Sequence, residues 1–254
     1  MVNPTSTPRE TTPFRAGSNR VQFLLKNTSA IVLCGGLGTR LRPVLADIPK
    51  ALAPIGEKPF LDILLFFLKQ QGIQSVILAI GYGGDKIKKH CAQNQVLDLV
   101  FSEETSLLGT GGAFRKALAF AKGDQVIVVN GDTLCPINYA DLLNFHLNKS
   151  ALLSMVLTSK NRHDVGGVRI DAQGLILDYE ERPAVDSHSF MSAGIYIFKK
   201  EVLALIPKQE VFSLEYDFLP KLVKTRQCFG YITKARAIDI GTPERYSEAQ
   251  NLIV

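Results

Sequence analysis

Between residues 33 and 50 the chain reads Leu33-Cys34-Gly35-Gly36-Leu37-Gly38-Thr39-Arg40, with Lys50 ten residues further on. Three glycines in four positions leave a turn without side chains, so its backbone N–H groups can come close to an anion and point at it. Arg40 adds a planar charged fork and Lys50 a compact point charge. This set suits a polyphosphate. It is not a Walker A loop, because no Gly-Lys-Ser/Thr follows. It is not a dinucleotide fingerprint either, because the template begun at Gly36 needs glycine at position 41, where Leu41 stands. A glycine turn alone is as often structural; the two cations tip the reading toward phosphate.

Two carboxylates sit beside glycines elsewhere, in Asn130-Gly131-Asp132 and in Ile238-Asp239-Ile240-Gly241. Hard oxygen donors of this kind suit a divalent cation, and a neighbouring glycine leaves room for a bulky ligand. Their separation in sequence does not show that they meet. A second glycine run, Leu108-Gly109-Thr110-Gly111-Gly112, follows Glu103 and Glu104. The two glutamates could reach a site there, but a solvated acidic loop is the simpler reading. The four cysteines form no CxxC pair and read as reduced structural thiols, which points to a cytoplasmic protein. The four histidines form no HExxH or HxH cluster and read as surface residues.

Such groups need strand ends to hold them. Ala30–Cys34, Ser75–Ile80, Leu97–Phe101 and Gln125–Val129 are short apolar runs, as buried parallel strands are. Between them lie helical stretches: Lys58-Pro59 to about Gln71, Asp85–Ala92 and Gly109–Ala121. This alternation is the mark of a doubly wound α/β sheet, whose ligands bind at the carboxyl ends of the strands. The second half changes character. Ala151–Thr158, Gly167–Ile170, Leu175–Glu180 and Phe190–Phe198 are strand candidates with few helices between them, with Asp171–Gly174 as a hairpin turn. Helices return at Leu214–Lys224 and after Thr242-Pro243-Glu244.

Composition narrows the partners. The chain has 254 residues, 46% hydrophobic and 21% charged, which is ordinary for a folded domain and excludes wholesale disorder. No apolar run is long enough for a membrane-spanning helix. The net charge is +5, but residues 1–28 alone carry Arg9, Arg15, Arg20 and Lys26 against Glu10. The excess is thus mostly in one segment, and neither a nucleic acid nor a membrane is an expected partner. Residues 1–28, rich in Pro, Ser and Thr, read as a flexible extension with few groups to bury; residues 29–254 read as one catalytic domain.

The run from Gly35 to Pro43, with Pro49-Lys50 and Pro54 beyond it, resembles the signature of the sugar-phosphate nucleotidyltransferases. The likeness continues over residues 30 to about 250. Leu108–Ala113 resembles the family's second glycine loop, Asn130-Gly131-Asp132 its metal-binding strand end, and Glu181-Arg182-Pro183 its Glu-Lys-Pro sugar contact. Ser192–Tyr196 resembles the strand beside the sugar, and Ile238–Glu244 the segment with the second metal carboxylate. The resemblance implies a Rossmann-like, doubly wound fold: a mostly parallel sheet with a mixed or antiparallel sugar-binding lobe. It implies transfer of a nucleoside monophosphate to a sugar 1-phosphate with release of pyrophosphate, and Mg²⁺ held by Asp132 and Asp239.

Carried over residue by residue, the resemblance makes Arg40 and Lys50 the catalytic cations. Leu33, Gly35, Gly36, Gly38, Thr39, Gly109, Thr110 and Gly111 would bind the nucleotide, and Asn130, Glu181, Arg182 and Gly194 the sugar phosphate. Arg182 stands where relatives carry Lys, and Ser192-Ala193 where heptose enzymes carry Asn-Gly. The stretches Asp47–Asp62, Leu68–Tyr82, Phe212–Pro220 and Ile238–Tyr246 resemble most the short guanylyltransferases acting on D-glycero-α-D-manno-heptose 1-phosphate. The expected substrates are therefore GTP and that heptose phosphate, with mannose 1-phosphate, or another sugar and base, as the alternative. A non-catalytic sensor on the same fold would be expected to have lost Arg40, Lys50 or one of the aspartates, and all are present. A homo-oligomer is compatible with the sequence.

Overall fold

The structure, a computed structural model, describes residues 16–92, 97–159, 166–182 and 190–252. Helix α1 (Ala16–Lys26) leads into strand β1 (Ser29–Leu33). The glycine loop follows, then a one-turn helix α2 (Arg42–Leu45), a 3-10 turn at Lys50–Leu52 and a small hairpin of β2 (Pro54–Ile55) and β3 (Lys58–Pro59). Next come α3 (Phe60–Gln70), β4 (Ser75–Ile80), α4 (Gly84–Cys91), β5 (Asp98–Glu103), α5 (Gly109–Leu118) and β6 (Gln125–Asn130). Strand β7 (Thr133–Leu134), α6 (Tyr139–Asn148), β8 (Leu153–Ser159), β9 (Gly167–Ile170), β10 (Ile176–Glu180) and β11 (Phe190–Lys199) fill the middle. The chain closes with α7 (Leu219–Val223), β12 (Cys228–Ile232), β13 (Ile238–Asp239) and α8 (Pro243–Leu252).

The central strands are apolar on both faces because each face carries a core. Ala30, Val32, Val76, Leu78, Ile127 and Val129 point to one side, where Leu61, Leu64 and Leu68 of α3 and Leu142 and Leu143 of α6 meet them. Ile31, Ile77, Ala79, Val126 and Val128 point to the other, against Phe114, Ala117 and Leu118 of α5. Successive residues of one strand serve opposite cores, as the period-2 geometry of a strand requires.

Strands β6, β1, β4 and β5 run parallel, in that order. On the far side of β6 the sense changes: β11 pairs antiparallel with β6, then antiparallel with β8, and β12 lies parallel to β8. The β9–β10 hairpin attaches to the first residues of β11. The doubly wound sheet and its mixed second lobe are as expected from the sequence.

Four features differ from expectation. Residues 16–26, expected to belong to a flexible extension, form α1, which packs on α6; Leu25 is wholly buried and Val21 and Leu24 pack beside it. Residues 1–15 of that extension lie outside the described residues. Helix α6 and strand β12 lie in stretches given no element by sequence. The expected helix from Leu214 opens as a π-helical turn, Leu214–Phe218, before α7. His146, expected at the surface, is buried, with its ring nitrogens on Ser154 Oγ at 2.9 Å and Gln125 Oε1 at 2.8 Å. Burial, with the Lys199 charge, pushes its pKa down to about 4, so it is a neutral core imidazole. His163 and His188 lie outside the described residues. All four cysteines are free and buried, as expected.

Candidate active site

The parallel strands β1, β4, β5 and β6 end together, and two adjoining clefts open beyond their carboxyl ends. The larger, about 450 Å³, is walled by the first glycine loop: Leu33, Gly35, Gly36, Gly38, Thr39 and Arg40. Lys50, Gly109 and Thr110 complete it. The smaller, about 280 Å³, is lined by Glu181, Gly194 and Asp239. Arg40, Asn130, Asp132 and Gly241 line both clefts, so the two meet at the end of β6. Backbone bonds fix the loop at that junction: Gly131 N–H donates to Leu33 O at 3.0 Å, and Cys34 N–H to Ala79 O at 2.8 Å.

The two segments whose carboxylates sequence spacing could not bring together lie side by side, and Asp132 and Asp239 both line the smaller cleft. Strand β7 pairs antiparallel with β13, setting Thr133 opposite Asp239, and Ile240 N–H donates to Asp132 O at 3.0 Å. Asp132 Oδ2 accepts from Lys50 Nζ, and its Oδ1 from Thr133 Oγ1 at 3.2 Å. Burial alone would raise the Asp132 pKa; the Lys50 charge and hydrogen bond outweigh it and hold the pKa below the usual carboxylate range. Asp239 Oδ1 accepts from Gly241 N–H at 2.7 Å, and Arg245 Nη1 donates to Oδ2 at 3.0 Å and Oδ1 at 3.3 Å. Among the described residues no third His, Cys, Asp or Glu joins a metal-ligating group with them. Two hard carboxylates lining one cleft fit Mg²⁺, which is commonly held by one or two carboxylates with substrate phosphates completing the shell.

The second glycine loop divides its residues between two tasks. Gly109 has φ +72°, and a Cβ there would lie 2.5 Å from Phe212 O. The Phe212 ring fills the place of a Cβ on Gly111, whose N–H donates to Phe212 O at 3.0 Å. Both glycines thus pack on Phe212; Gly109 and Thr110 also line the larger cleft, whereas Gly111 lines neither. Thr110 Oγ1 donates to Glu215 Oε2 at 2.5 Å and accepts from Leu214 N–H at 2.9 Å, which ties this loop to the π-helical turn.

Glu104 is the clearest residue that sequence reasoning placed in solvent. It follows β5 and lines the larger cleft. Its Oε2 accepts from Leu108 N–H at 2.9 Å, while Oε1 lies 2.7 Å from where a Cβ on Gly35 would be. Burial raises its pKa against that bond. Glu103, by contrast, is exposed and pairs with Lys88 at 2.5 Å.

In the smaller cleft, Gly194 sits in a bulge of β11 with φ +67°, and a Cβ there would be 2.7 Å from Asn130 Nδ2. Asn130 Oδ1 is buried without a hydrogen-bond partner among the described residues, an acceptor waiting for a donor. Glu181 Oε2 accepts from Tyr179 O–H at 2.5 Å. Burial pushes the Glu181 pKa up to about 7, with Glu215 adding to the rise and the Tyr179 bond opposing it. Arg182, expected beside it, is exposed and lines neither cleft; Pro183 lies outside the described residues. Glu215 and Arg245 line the smaller cleft in stretches whose wording carried the resemblance but to which no role was assigned.

The nucleotidyl transferase family model matches residues 29–254. The chain is 39% identical over 219 residues to the D-glycero-alpha-D-manno-heptose 1-phosphate guanylyltransferase of Campylobacter jejuni, covering 85% of this chain and 96% of that one. It is 35% identical over 222 residues to the enzyme of the same name from Aneurinibacillus thermoaerophilus, covering 87% and 96%. Among solved structures, HddC from Yersinia pseudotuberculosis matches with a TM-score of 0.79 and 33% identity, over 89% of this chain and 100% of that one. A second structure of HddC, complexed with GMP-PN, matches with a TM-score of 0.78.

Proposed function

We propose that this chain, which belongs to the nucleotidyl transferase family, transfers GMP from GTP to D-glycero-α-D-manno-heptose 1-phosphate, releasing pyrophosphate. The observation that carries the proposal is the meeting of the two clefts at Asp132, with Lys50 on one side and Asp239 on the other. On this reading residues 29–254 act as one catalytic domain. The larger cleft takes the nucleotide and the smaller the sugar phosphate.

The reaction needs little covalent help. A sugar phosphate is already ionised, so no general base has to act; one of its oxygens forms a bond to the α-phosphorus while the bond from that phosphorus to the β-phosphate oxygen breaks. The electron pair leaves with pyrophosphate. The task is to bring mutually repelling anions together and to offset the charge on the leaving group. In the proposed roles, Gly35, Gly36 and Gly38 turn N–H groups toward the nucleotide phosphates, with Leu33 and Thr39 beside them. Arg40 holds the β- and γ-phosphates, and Lys50 lies between the α-phosphate and the attacking phosphate. Asp132 and Asp239 would hold Mg²⁺, which when bound neutralises phosphate oxygens.

Base choice is the part that Glu104 supports. Guanine offers two adjacent donors, N1–H and the N2 amine, and a carboxylate is an acceptor-only group that can take both. Uracil and thymine offer one donor between two carbonyl oxygens, which a carboxylate repels. On the sugar side, the Glu181 carboxylate and the unpartnered Asn130 Oδ1 are acceptors suited to hydroxyls, with Gly194 leaving them room. The test is pyrophosphate release from GTP, UTP, dTTP, CTP and ATP, each with heptose, mannose and glucose 1-phosphates. Turnover confined to GTP with the heptose phosphate is expected; equal or faster turnover with another base or sugar replaces the assignment.

A further inference from the structure

We infer that Arg245, rather than Arg182, is the side chain that receives the phosphate of the sugar 1-phosphate. The inference rests on the guanylyltransferase reading and names a residue of the same site. For attack to occur, the sugar's phosphate must lie where the smaller cleft opens into the larger. The structure sets two sheltered cations at that junction. A Cβ on Gly241 would lie 3.4 Å from Lys50 Nζ and 3.6 Å from Arg245 Nη1, so the two flank a single glycine. Lys50 lines only the larger cleft of the two, and Arg245 only the smaller. Each pairs with one of the two aspartates, Lys50 with Asp132 and Arg245 with Asp239. The arrangement is a matched pair: one cation on the nucleotide side, one on the sugar side.

Arg245 also has the right preparation. Its side chain is 14% exposed and its guanidinium is held by Asp239 at 3.0 and 3.3 Å. A preorganised guanidinium in a sheltered site binds a phosphate oxygen more strongly than one in open solvent, and its planar fork matches the phosphate geometry. Arg182 is exposed and lines neither cleft. Arg40 is exposed on the glycine loop and reaches both clefts, which suits the nucleotide phosphates first. Arg245 transfers no proton; it lowers the repulsion between the incoming phosphate and the α-phosphate and fixes the attacking oxygen.

The experiment uses the full chain with Arg245→Ala, Arg245→Met, Arg245→Lys and Arg182→Ala. Steady-state kinetics with GTP and the heptose phosphate are expected to show KM for the sugar phosphate raised on the order of 100-fold in Arg245→Ala. KM for GTP should stay within about threefold, Arg245→Lys should recover part of the loss, and Arg182→Ala should change neither constant by more than about threefold. A second readout needs no turnover: titration of inorganic phosphate in EDTA, followed by calorimetry, should show weaker binding by Arg245→Ala than by wild type. The inference is overturned if Arg182→Ala carries the loss, or if Arg245→Ala raises both KM values alike, as a purely structural prop for Asp239 would. Should Arg245→Ala not fold, Arg245→Met and Arg245→Lys are judged by the same criteria. If wild type turns over none of the sugar phosphates offered, the guanylyltransferase reading fails by itself; the phosphate titration then decides Arg245, with equal affinity in wild type and variant refuting it.

Discussion

Glu104→Gln is the sharpest probe of how a base would be chosen. Glu104 Oε2 already accepts the Leu108 N–H, and Oε1 comes within 2.7 Å of the space beside Gly35, so the carboxylate is held in place rather than free to swing into solvent. Burial raises its pKa, which means that the charged form lacks full solvation and gains from added donors. Guanine supplies two. A hydrogen bond to a charged acceptor is worth about 1.5–3 kcal/mol. The amide keeps one acceptor and puts a donor where the second was, facing a guanine donor. The expected loss is thus about 2–4 kcal/mol in kcat/KM for GTP, roughly 30- to 1,000-fold. The assay compares GTP with inosine triphosphate, which lacks the N2 amine. Wild type should prefer GTP by about tenfold or more, and Glu104→Gln should lose most of that preference while binding of pyrophosphate, which lacks a base, is unchanged. A variant that keeps the full GTP preference would falsify the role given to Glu104.

Further outcomes follow from single contacts. Because the Glu181 pKa is raised to about 7, the folded protein keeps a proton there that the unfolded chain gives up near its ordinary value; stability contributed by this group therefore falls as pH rises from about 4.5 to 7 and is level above that. Urea unfolding across that range should show the slope in wild type and a flatter one in Glu181→Gln, while KM for the sugar phosphate should fall as pH rises through 7; an unchanged slope refutes the assignment. Leu25 is wholly buried, so Leu25→Ala should cost about 2–4 kcal/mol, and deletion of residues 1–28 should lower Tm by several degrees in a thermal melt. An unchanged Tm would mean that α1 adds nothing to the body. Asp132→Asn and Asp239→Asn should each fold with wild-type circular dichroism yet lose most turnover and most Mn²⁺ binding by electron paramagnetic resonance; full activity in EDTA would refute the metal role.

The parallel half of the sheet was legible because its strands are buried on both faces, and such strands are written as unbroken apolar runs like Ser75–Ile80. Strand β12 was hidden because Cys228-Phe229-Gly230-Tyr231-Ile232 alternates burial and contains a glycine, and only its partner β8 makes it a strand. Helix α1 offered one turn of apolar spacing, Val21, Leu24 and Leu25, with nothing in sequence to say that α6 would cover it. The glycine loop and the aspartates were legible as residue types. What was not legible was pairing over long distance: Glu104 with Gly35, Thr110 with Glu215, Asp239 beside Thr133. Gly111 shows the limit from the other side. Its place in a glycine-rich loop suggests a ligand, and the structure gives it a phenylalanine ring.

The position of the junction follows from the sheet itself. Strand β6 is where the sense of the strands changes: β1 lies parallel to it on one side and β11 antiparallel on the other. The chain leaving β1 at its carboxyl end supplies the glycine loop, which walls the larger cleft. On the other side β11 runs in the opposite direction, and its bulge at Gly194 comes against Asn130, the last residue of β6, opening the smaller cleft. A parallel neighbour thus brings a loop to the end of β6, and an antiparallel neighbour brings the middle of a long strand. Two different surfaces are delivered to one point, and Asp132 stands two residues beyond it. Two phosphates from two substrates can meet there without either substrate having to cross the sheet. Gly194 lines only the smaller cleft, whereas Asn130, on which an added side chain would press, lines both; such a change should therefore abolish sugar-phosphate binding and weaken nucleotide binding much less.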